Sequence, residues 1–437
     1  MKACLGRIAV AAVGIFFLLQ ISLLRTAETI TAKINEQQEN MQKDERSSER
    51  YLLYLTHSGY SNQILGLRKA IYLAIATNRT LVLPPILPHV TMTKKRARIQ
   101  PRHDDLLLPF APRAVGSGCT PAQNYKESIR HIERDVQTSK RRDALFPSHQ
   151  SLLDLDSLRR NDQVIGFKFM DMDEYSKSKD GHVSTQDPRR WCKVATNKEL
   201  SLRMVQNCEL SNSTFPDVVS SFSRFCGPNR VVAVIGSGYA LPFTNHRESL
   251  DANTASAIDN FFHKLPLTPK LQEIVKQLYS LVSKSGYFGL HVRFRDNLVI
   301  RNCSEVTETY TEVFSRLNES NGSSPSTAKH HLLVGNSNKA VLRCFRYHDQ
   351  EGRYHATTIN EIIDKNNELK ALIDAIVAVP KSTVYLLLDM VLLSLAESVV
   401  LATQEDGYAF ESTFQSIIQD LHVHRESTLE KLGIHSP

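Results

Sequence analysis

Motifs for several common classes of active site are missing from this sequence of 437 residues. There is no Cys-x-x-Cys pair, which argues against a zinc site, and there is neither the G-x-S-x-G motif of hydrolases nor the H-E-x-x-H motif of zinc proteases. Gly236 and Gly238 follow an apolar run, but Leu241 stands where a dinucleotide fingerprint needs its third glycine. We therefore expect a tight turn there and no NAD site.

A nucleic-acid-binding module is also missing, although the chain has a formal net charge of +7. Solvated loops explain the basic clusters most simply, and an anionic partner such as a diphosphate sugar or an acidic acceptor is the alternative. The two clusters are Lys94, Lys95, Arg96, Arg98 and Arg102, and Lys140, Arg141 and Arg142.

A metal site has little support in the sequence. Asp171-Met172-Asp173 is a D-x-D motif of the kind that holds a metal in some nucleotide-sugar transferases. The pattern is a common coincidence, and the segment after it is rich in charge. We expect no metal and no other cofactor.

The N-terminal segment 8–24 is nearly all apolar and predicts a membrane anchor within residues 1–25. Lys2 and Arg7 precede it, which favours a cytoplasmic N-terminus and a lumenal body. A cleaved signal peptide is the alternative. Residues 26–50 are polar and fit a stem, so we expect a single-pass type II protein of the Golgi or the endoplasmic reticulum.

The number of cysteines after the predicted anchor is even, which is typical of a protein in an oxidising compartment. Six cysteines follow the anchor, and they allow three disulfides in any of about 15 pairings. Glycosylation sequons at Asn302, Asn318 and Asn321 lie close together, whereas the sequon at Asn78 precedes an apolar run and is expected to be structural.

Residues 51–85 predict a strand, a glycine turn, a helix and a second strand, which together form a βαβ unit with parallel strands. Ligands in such sheets bind beyond the carboxyl ends of the strands. The polar turn there makes a candidate N-terminal loop of the site, formed by His57, Gly59, Tyr60 and Asn62.

Strands and helices alternate in both halves of the chain, which predicts two Rossmann-like, doubly wound α/β domains that face a cleft. We place them at residues 51–265 and 266–437. Predicted strands in the first include 164–169 and 231–235. Predicted elements of the second include strands at 287–292, 331–334 and 398–401, a helix after Pro269, a helix near 359–377 and a last helix near Ser412.

Anion-binding groups follow two segments of the second half. His291 and Arg293 end a strand, and a guanidinium group matches a phosphate, although a surface ion pair is an equal alternative for Arg293. Ser412 and Thr413 begin the last helix, whose free N–H groups attract anions, and simple capping of that helix is the alternative.

Three blocks resemble the GDP-fucose protein O-fucosyltransferase family. They are H-S-G-Y-x-N-Q with the following N-R-T-L-V-L-P-P, the H-x-R of His291 and Arg293, and the segment from Asp389 to Phe414. The resemblance implies a GT-B type fold and transfer of fucose from GDP-fucose to a hydroxyl of a protein or glycan, with inversion and without a metal. It also implies that His291, Arg293, Ser412 and Thr413 bind the diphosphate, that Asp389 binds the nucleoside, and that Asn62 orients acceptor or phosphate. Phe414 then packs on a base or fills the core.

Two departures from the family keep other functions open. Relatives have an acid after the strand at 331–334, where this chain has Gly335-Asn336-Ser337, and some have a glutamate base in the N-terminal loop, which is missing here. The alternatives are transfer of another deoxysugar to a cell-wall glycan, and an inactive, membrane-anchored glycan-binding protein.

Overall fold

The fold rests on two parallel β-sheets. The computed structural model describes residues 49–54, 60–84, 86, 148–171, 174–175, 178, 191–195, 214–226, 231–235, 243–282, 286–293, 302–320, 330–335, 339–376, 379, 381–403 and 413–434.

The first sheet has the strand order β3-β2-β1-β5-β4, and every pairing in it is parallel. β1 lies in its centre, and all four of its residues are buried. The strands are β1 (Tyr51–Tyr54), β2 (Thr80–Leu83), β3 (Phe169–Asp171), β4 (Trp191–Ala195) and β5 (Val231–Ile235).

The second sheet has the order β8-β7-β6-β9 and is also parallel throughout. Its strands are β6 (Phe288–Arg293), β7 (His330–Val334), β8 (Tyr354–Thr357) and β9 (Ser398–Thr403). Parallel sheets of this kind confirm the predicted α/β class.

Helices connect the strands of both sheets. In chain order they are α1 (Tyr60–Ala76), α2 (Leu155–Arg159), α3 (Phe215–Cys226), α4 (Ala252–Lys264), α5 (Pro269–Val282), α6 (Thr307–Ser320), α7 (Lys339–His348), α8 (Ile359–Asp364), α9 (Asn367–Asp374), α10 (Lys381–Ser394), α11 (Thr413–Val423) and α12 (Arg425–Lys431), with short 3-10 helices at His149–Ser151, His246–Ser249 and Cys303–Val306.

The predicted βαβ unit is confirmed by the parallel pairing of β1 with β2 around α1. α1 buries residues on most of its surface, among them Ile64, Leu67 and Ile71, because it packs on the sheet and on other helices. Asn78 ends the helical turn with a φ of 49°, a left-handed conformation that asparagine tolerates better than most residues. This is the structural role expected for Asn78, although its side chain is exposed.

Two predicted elements were wrong. The strand expected at 164–169 is a turn that contains Gly166 at a φ of 80°, and the strand itself begins at Phe169. The helix expected near 359–377 is two helices, because Asn366 caps the second with its side chain and interrupts the first.

Residues 51–437 form one compact unit, and one buried apolar cluster includes residues of both sheets' helices. The boundary proposed between residues 265 and 266 stays a prediction.

In the described part of the chain, no helix is long and apolar enough to cross a membrane, and the proposed anchor at 8–24 lies outside that part. The anchor and the lumenal location also stay predictions.

One disulfide joins Cys303 to Cys344, between the 3-10 helix before α6 and helix α7. It encloses a separation of 41 residues. The oxidising compartment inferred from the sequence and the other pairings stay predictions.

Two glycines let helix α10 lie close to the second sheet. A Cβ atom on Gly289 of β6 would be 3.2 Å from both the Cβ of Ala396 and the backbone oxygen of Leu393. A Cβ on Gly335, directly after β7, would collide with the side chain of Leu393. Gly335, the first residue of the Gly335-Asn336-Ser337 segment, therefore has a packing role.

We expect Gly289→Ala to destabilise the fold by about 1–3 kcal/mol, since a methyl group must displace the backbone of the α10 turn. Urea unfolding measures this change. Glu273→Ala, at an exposed position of α5, is the control and should change the free energy of unfolding by less than about 0.5 kcal/mol. Equal midpoints for Gly289→Ala and the wild type would contradict the close packing.

Candidate functional site

Each sheet has a topological switch point, where consecutive crossovers leave a strand in opposite directions. In the first sheet β1 pairs with β2 on one side and with β5 on the other. In the second sheet β6 pairs with β7 on one side and with β9 on the other. Because ligands of open α/β sheets bind outside the carboxyl ends of strands at such points, the ends of β1 and β6 are the expected ligand-binding positions.

The carboxyl end of β6 lies beside the first turn of α11. His291 is buried, and its ring centroid is 4.6 Å from that of Phe414, the second residue of α11. The Gln415 amide of the same turn donates to the carbonyl of Ala402 in β9 at 3.1 Å. The H-x-R block and the start of the last helix, which are far apart in sequence, therefore meet in space.

Arg293 is the last residue of β6 and pairs with Thr403, the last residue of β9. Its side chain lies outside the described part of the structure, and so does Ser412. Thr413 is the first residue of α11 and is partly exposed. A helix of 11 residues presents unpaired N–H groups and a positive dipole end at this position, which suits a phosphate.

Asp389 lies in α10, where it is 2% exposed, so the expected alternative of a helix-surface carboxylate does not apply. The next residue, Met390, connects the two halves of the site, because the Ser61 hydroxyl lies 3.8 Å from its sulfur. Helix α11 packs against both α10 and α1. The first turn of α1 is thus held against the helices of the second sheet.

Near the carboxyl end of β1 lie four neutral side chains, which we call the β1-edge cluster: Tyr54, Tyr60 and His149 are buried, and Asn62 is partly buried. The Tyr60 ring stacks on His149 at a centroid distance of 5.7 Å, and its hydroxyl is 3.5 Å from Nδ1 of His149. Tyr54 is the last residue of β1, and it lies close enough to Tyr60 for Tyr60 to raise the pKa of the Tyr54 hydroxyl. Asn62 lies in the first turn of α1.

Burial keeps these groups uncharged. Desolvation lowers the pKa of His149 to about 3, so its imidazole is neutral at physiological pH. Desolvation raises the pKa of the Tyr54 hydroxyl, with a further contribution from Tyr60, and raises the pKa of Tyr60 as well. The β1 edge therefore offers hydrogen bonds without charge, whereas the β6 edge is suited to an anion.

Of the predicted site residues, the structure places His291, Thr413 and Phe414 together at the end of β6. It places Tyr60 and Asn62 in the first turn of α1, and Asp389 in α10 next to Met390, which Ser61 of that turn contacts. Their roles in a site stay predictions. His57 and Gly59 lie outside the described residues. Phe414 is buried against His291, which agrees with its core-filling alternative. Sequence reasoning missed Tyr54 and His149, because a lone histidine after a polar stretch and a tyrosine in an apolar strand give no signal of their position.

The described residues contain no group of three or more His, Cys, Asp or Glu side chains placed to hold a metal ion. Asp171 accepts a hydrogen bond from the backbone N–H of Glu174 at 2.8 Å, which is the ordinary role of a carboxylate at a turn. Asp173 is outside the described part of the chain.

No family model matches the chain. Among curated proteins it is similar to O-fucosyltransferase 30 of Arabidopsis thaliana, with 46% identity over 41 residues. That stretch is 9% of this chain and 8% of the relative, so the chain matches far less than two thirds of the relative's length. The match confirms the resemblance to O-fucosyltransferases for that stretch.

Solved fucosyltransferases are similar over most of the chain, at low identity. The structure of POFUT1 in complex with GDP-fucose has 11% identity and a TM-score of 0.46, and the match covers 86% of this chain and 95% of that one. The fucosyltransferase NodZ from Bradyrhizobium has 11% identity and a TM-score of 0.39, with coverages of 85% and 93%.

Proposed function

We propose that this chain is an inverting, metal-independent glycosyltransferase of the GT-B type. It transfers fucose from GDP-fucose to a hydroxyl of a protein or glycan, and it works in the lumen of the Golgi or the endoplasmic reticulum behind an N-terminal anchor. The three sequence blocks that resemble O-fucosyltransferases support this proposal, as does the curated match to a protein of that name.

The single observation behind the proposal is the contact between His291 and Phe414. It brings the end of β6, where Arg293 lies, next to the first turn of α11, where Thr413 lies. A guanidinium group and a helix N-terminus each favour a bound phosphate, so the two groups together suit a nucleoside diphosphate.

Metal independence follows from the same pair of groups. The leaving GDP develops negative charge as the bond to the sugar breaks, and a preorganised cation and helix dipole stabilise that charge. Inversion fits a single displacement in which the acceptor hydroxyl attacks the sugar from the face opposite the diphosphate. The proton of that hydroxyl needs an acceptor, and the candidates are His57, an oxygen of the outgoing diphosphate and a residue of the acceptor.

The test is release of GDP from GDP-fucose by the purified full chain, with water or a glycan mixture as acceptor. We expect release to continue at an unchanged rate after addition of EDTA. Loss of activity with EDTA and recovery with manganese would contradict metal independence and return Asp171 and Asp173 to consideration. Activity with another GDP-deoxysugar, and none with GDP-fucose, would favour the deoxysugar alternative. Glycan binding without any turnover would favour the inactive, glycan-binding alternative.

A further inference from the structure

Two glycosylation sequons have all three of their side chains in the described part of the structure, and they differ in exposure. In the sequon that begins at Asn302, both the asparagine and Ser304, which supplies the hydroxyl, are exposed. In the sequon that begins at Asn78, the asparagine is exposed, but Thr80 is buried as the first residue of β2. Because a glycan is bulky and belongs on a surface, the sequon at Asn302 is the more suitable of the two.

The surroundings of Asn302 leave room for a large group. Asn302 precedes the short 3-10 helix Cys303–Val306, whose buried residues are Cys303 and Val306. The residues between and after them face solvent, so a group attached to Asn302 displaces no packed side chain. The exposed residues are Ser304, Glu305, Thr307 and Glu308.

The Asn302 side chain caps this helix with its amide oxygen. Oδ1 accepts a hydrogen bond from the backbone N–H of Ser304 at 3.3 Å, and the backbone of Asn302 is extended, with φ −124° and ψ 138°. An N-linked glycan is attached to the other atom of the amide, the nitrogen Nδ2. Attachment therefore keeps Oδ1 as the acceptor and leaves the cap intact.

The middle residue of the sequon fixes it to helix α7. Cys303 is joined to Cys344 of α7 by the disulfide, and Nε2 of His348 in the same helix lies 2.9 Å from the carbonyl oxygen of Cys303. These two contacts hold the segment on the protein with Asn302 directed away from the buried residues. A disulfide forms in the oxidising secretory compartment, which is also where N-linked glycans are added.

We infer that Asn302 carries an N-linked oligosaccharide. This inference rests on the proposed function for the lumenal location of the chain, because the transferring enzyme and its lipid-linked donor act there. The transfer forms a bond between Nδ2 and C1 of the first sugar, and it breaks the bond between that C1 and the diphosphate of the lipid-linked oligosaccharide. The lipid diphosphate leaves, and a base of the transferring enzyme accepts the proton that Nδ2 loses.

The same reasoning leaves Asn78 unmodified. Its sequon runs from a turn at a φ of 49° directly into a strand of the first sheet. The buried guanidinium group of Arg79 donates to the carbonyl of Tyr51 in β1 at 3.4 Å. A glycan on Asn78 would be attached next to two buried residues of a closely packed sheet, where a bulky group interferes with packing.

The test is a map of modified sites on the full chain, produced in secretory animal cells with a reporter sequon, Asn-Gly-Thr, added after Pro437. Trypsin cleaves after Arg301 and Arg316, so Asn302 lies in the peptide 302–316, apart from the sequons at Asn318 and Asn321. Peptide N-glycosidase in heavy-oxygen water converts each glycosylated asparagine to labelled aspartate, which mass spectrometry detects. We expect the label in most copies of 302–316 and none in 70–79.

Two variants of Ser304 connect the label to the sequon. Ser304→Ala removes the hydroxyl and should abolish the label on Asn302, whereas Ser304→Thr keeps a sequon and should retain it. Both variants keep the cap, because the backbone N–H of Ser304 makes that hydrogen bond. The reporter should stay labelled in both, which shows that the loss in Ser304→Ala is local.

The inference and the proposed function fail in different ways. An unlabelled reporter would show that the body of the chain does not enter the lumen, and it would overturn the proposed location. A labelled reporter with an unlabelled 302–316 peptide would overturn the assignment of Asn302 and leave the location standing. A label on Asn78 without one on Asn302 would also overturn it, since the exposure of the whole sequon would then not select the site.

Discussion

Arg293→Ala should lower the rate of transfer from GDP-fucose by about 10² to 10³, which corresponds to about 2.7–4 kcal/mol of transition-state stabilisation. The reason is the position of Arg293 at the end of β6, next to the strand that leads to α11. A guanidinium group there meets the diphosphate where negative charge grows as the sugar leaves. Steady-state rates of GDP release at saturating donor measure the loss.

Two further variants separate charge from folding. Arg293→Lys keeps the charge but loses the planar fork, so we expect it to recover only part of the rate. Arg160→Ala removes an arginine whose side chain is 71% exposed, and it should leave both rate and stability unchanged. Full activity of Arg293→Ala, with an unchanged Michaelis constant for GDP-fucose, would remove Arg293 from the mechanism.

The sequence predicted the parts of the fold that depend on local pattern. The βαβ unit was predicted because its helix has apolar residues at helical spacing and its strands are short apolar runs. Strand β5 was predicted with the bounds that the structure gives it. The strands β4 and β8 were missed, since Trp191–Ala195 contains a lysine and Tyr354–Thr357 has an exposed histidine. Their pairing partners, which define them, are distant in the sequence.

The sequence predicted the candidate residues at the end of β6 and the start of α11, but it did not predict all of the β1-edge cluster. The groups for the nucleotide follow strand ends and a helix start, and those positions can be inferred from pattern and from family resemblance. The β1-edge cluster could not be, because His149 is far in sequence from β1 and joins it only through the fold. Burial also determines its chemistry, since the same histidine on a surface titrates near neutral pH.

Away from the site, a network of hydrogen bonds and ion pairs around Asp259 should make a large contribution to the free energy of unfolding. Asp259 of α4 is 2% exposed and accepts hydrogen bonds from Arg68 at 2.6 Å, from Tyr72 at 2.8 Å and from Arg247 at 2.8 Å. Arg68 belongs to α1, so this carboxylate fixes the helix that begins at the β1 edge to α4. Arg68 is largely shielded from water in this network, since only 15% of its side chain is exposed.

Asp259→Asn should therefore destabilise the protein by about 3–5 kcal/mol, because it leaves the Arg68 guanidinium buried without its counter-charge. The midpoint of urea unfolding at neutral pH measures the effect. Glu312→Gln is the matched control, since it breaks an exposed pair with Arg316 on α6, which is worth only about 0.3–0.5 kcal/mol. A loss no larger than that of the control would show that Asp259 does not fix α1.

The same carboxylate gives a pH dependence with a definite sign. Burial alone would raise the pKa of Asp259, but the hydrogen bonds and charge of Arg68, with Tyr72 and Arg247, outweigh it and lower the pKa from its usual value of 3.8. A carboxylate with a lowered pKa contributes stability above its unfolded value and loses it as the pH falls through the folded value. The difference between wild type and Asp259→Asn should therefore be constant above about pH 5 and shrink below about pH 4. A difference that grows on acidification would mean that Asp259 is protonated in the native protein, and the ion-pair network would then not be the source of its stabilisation.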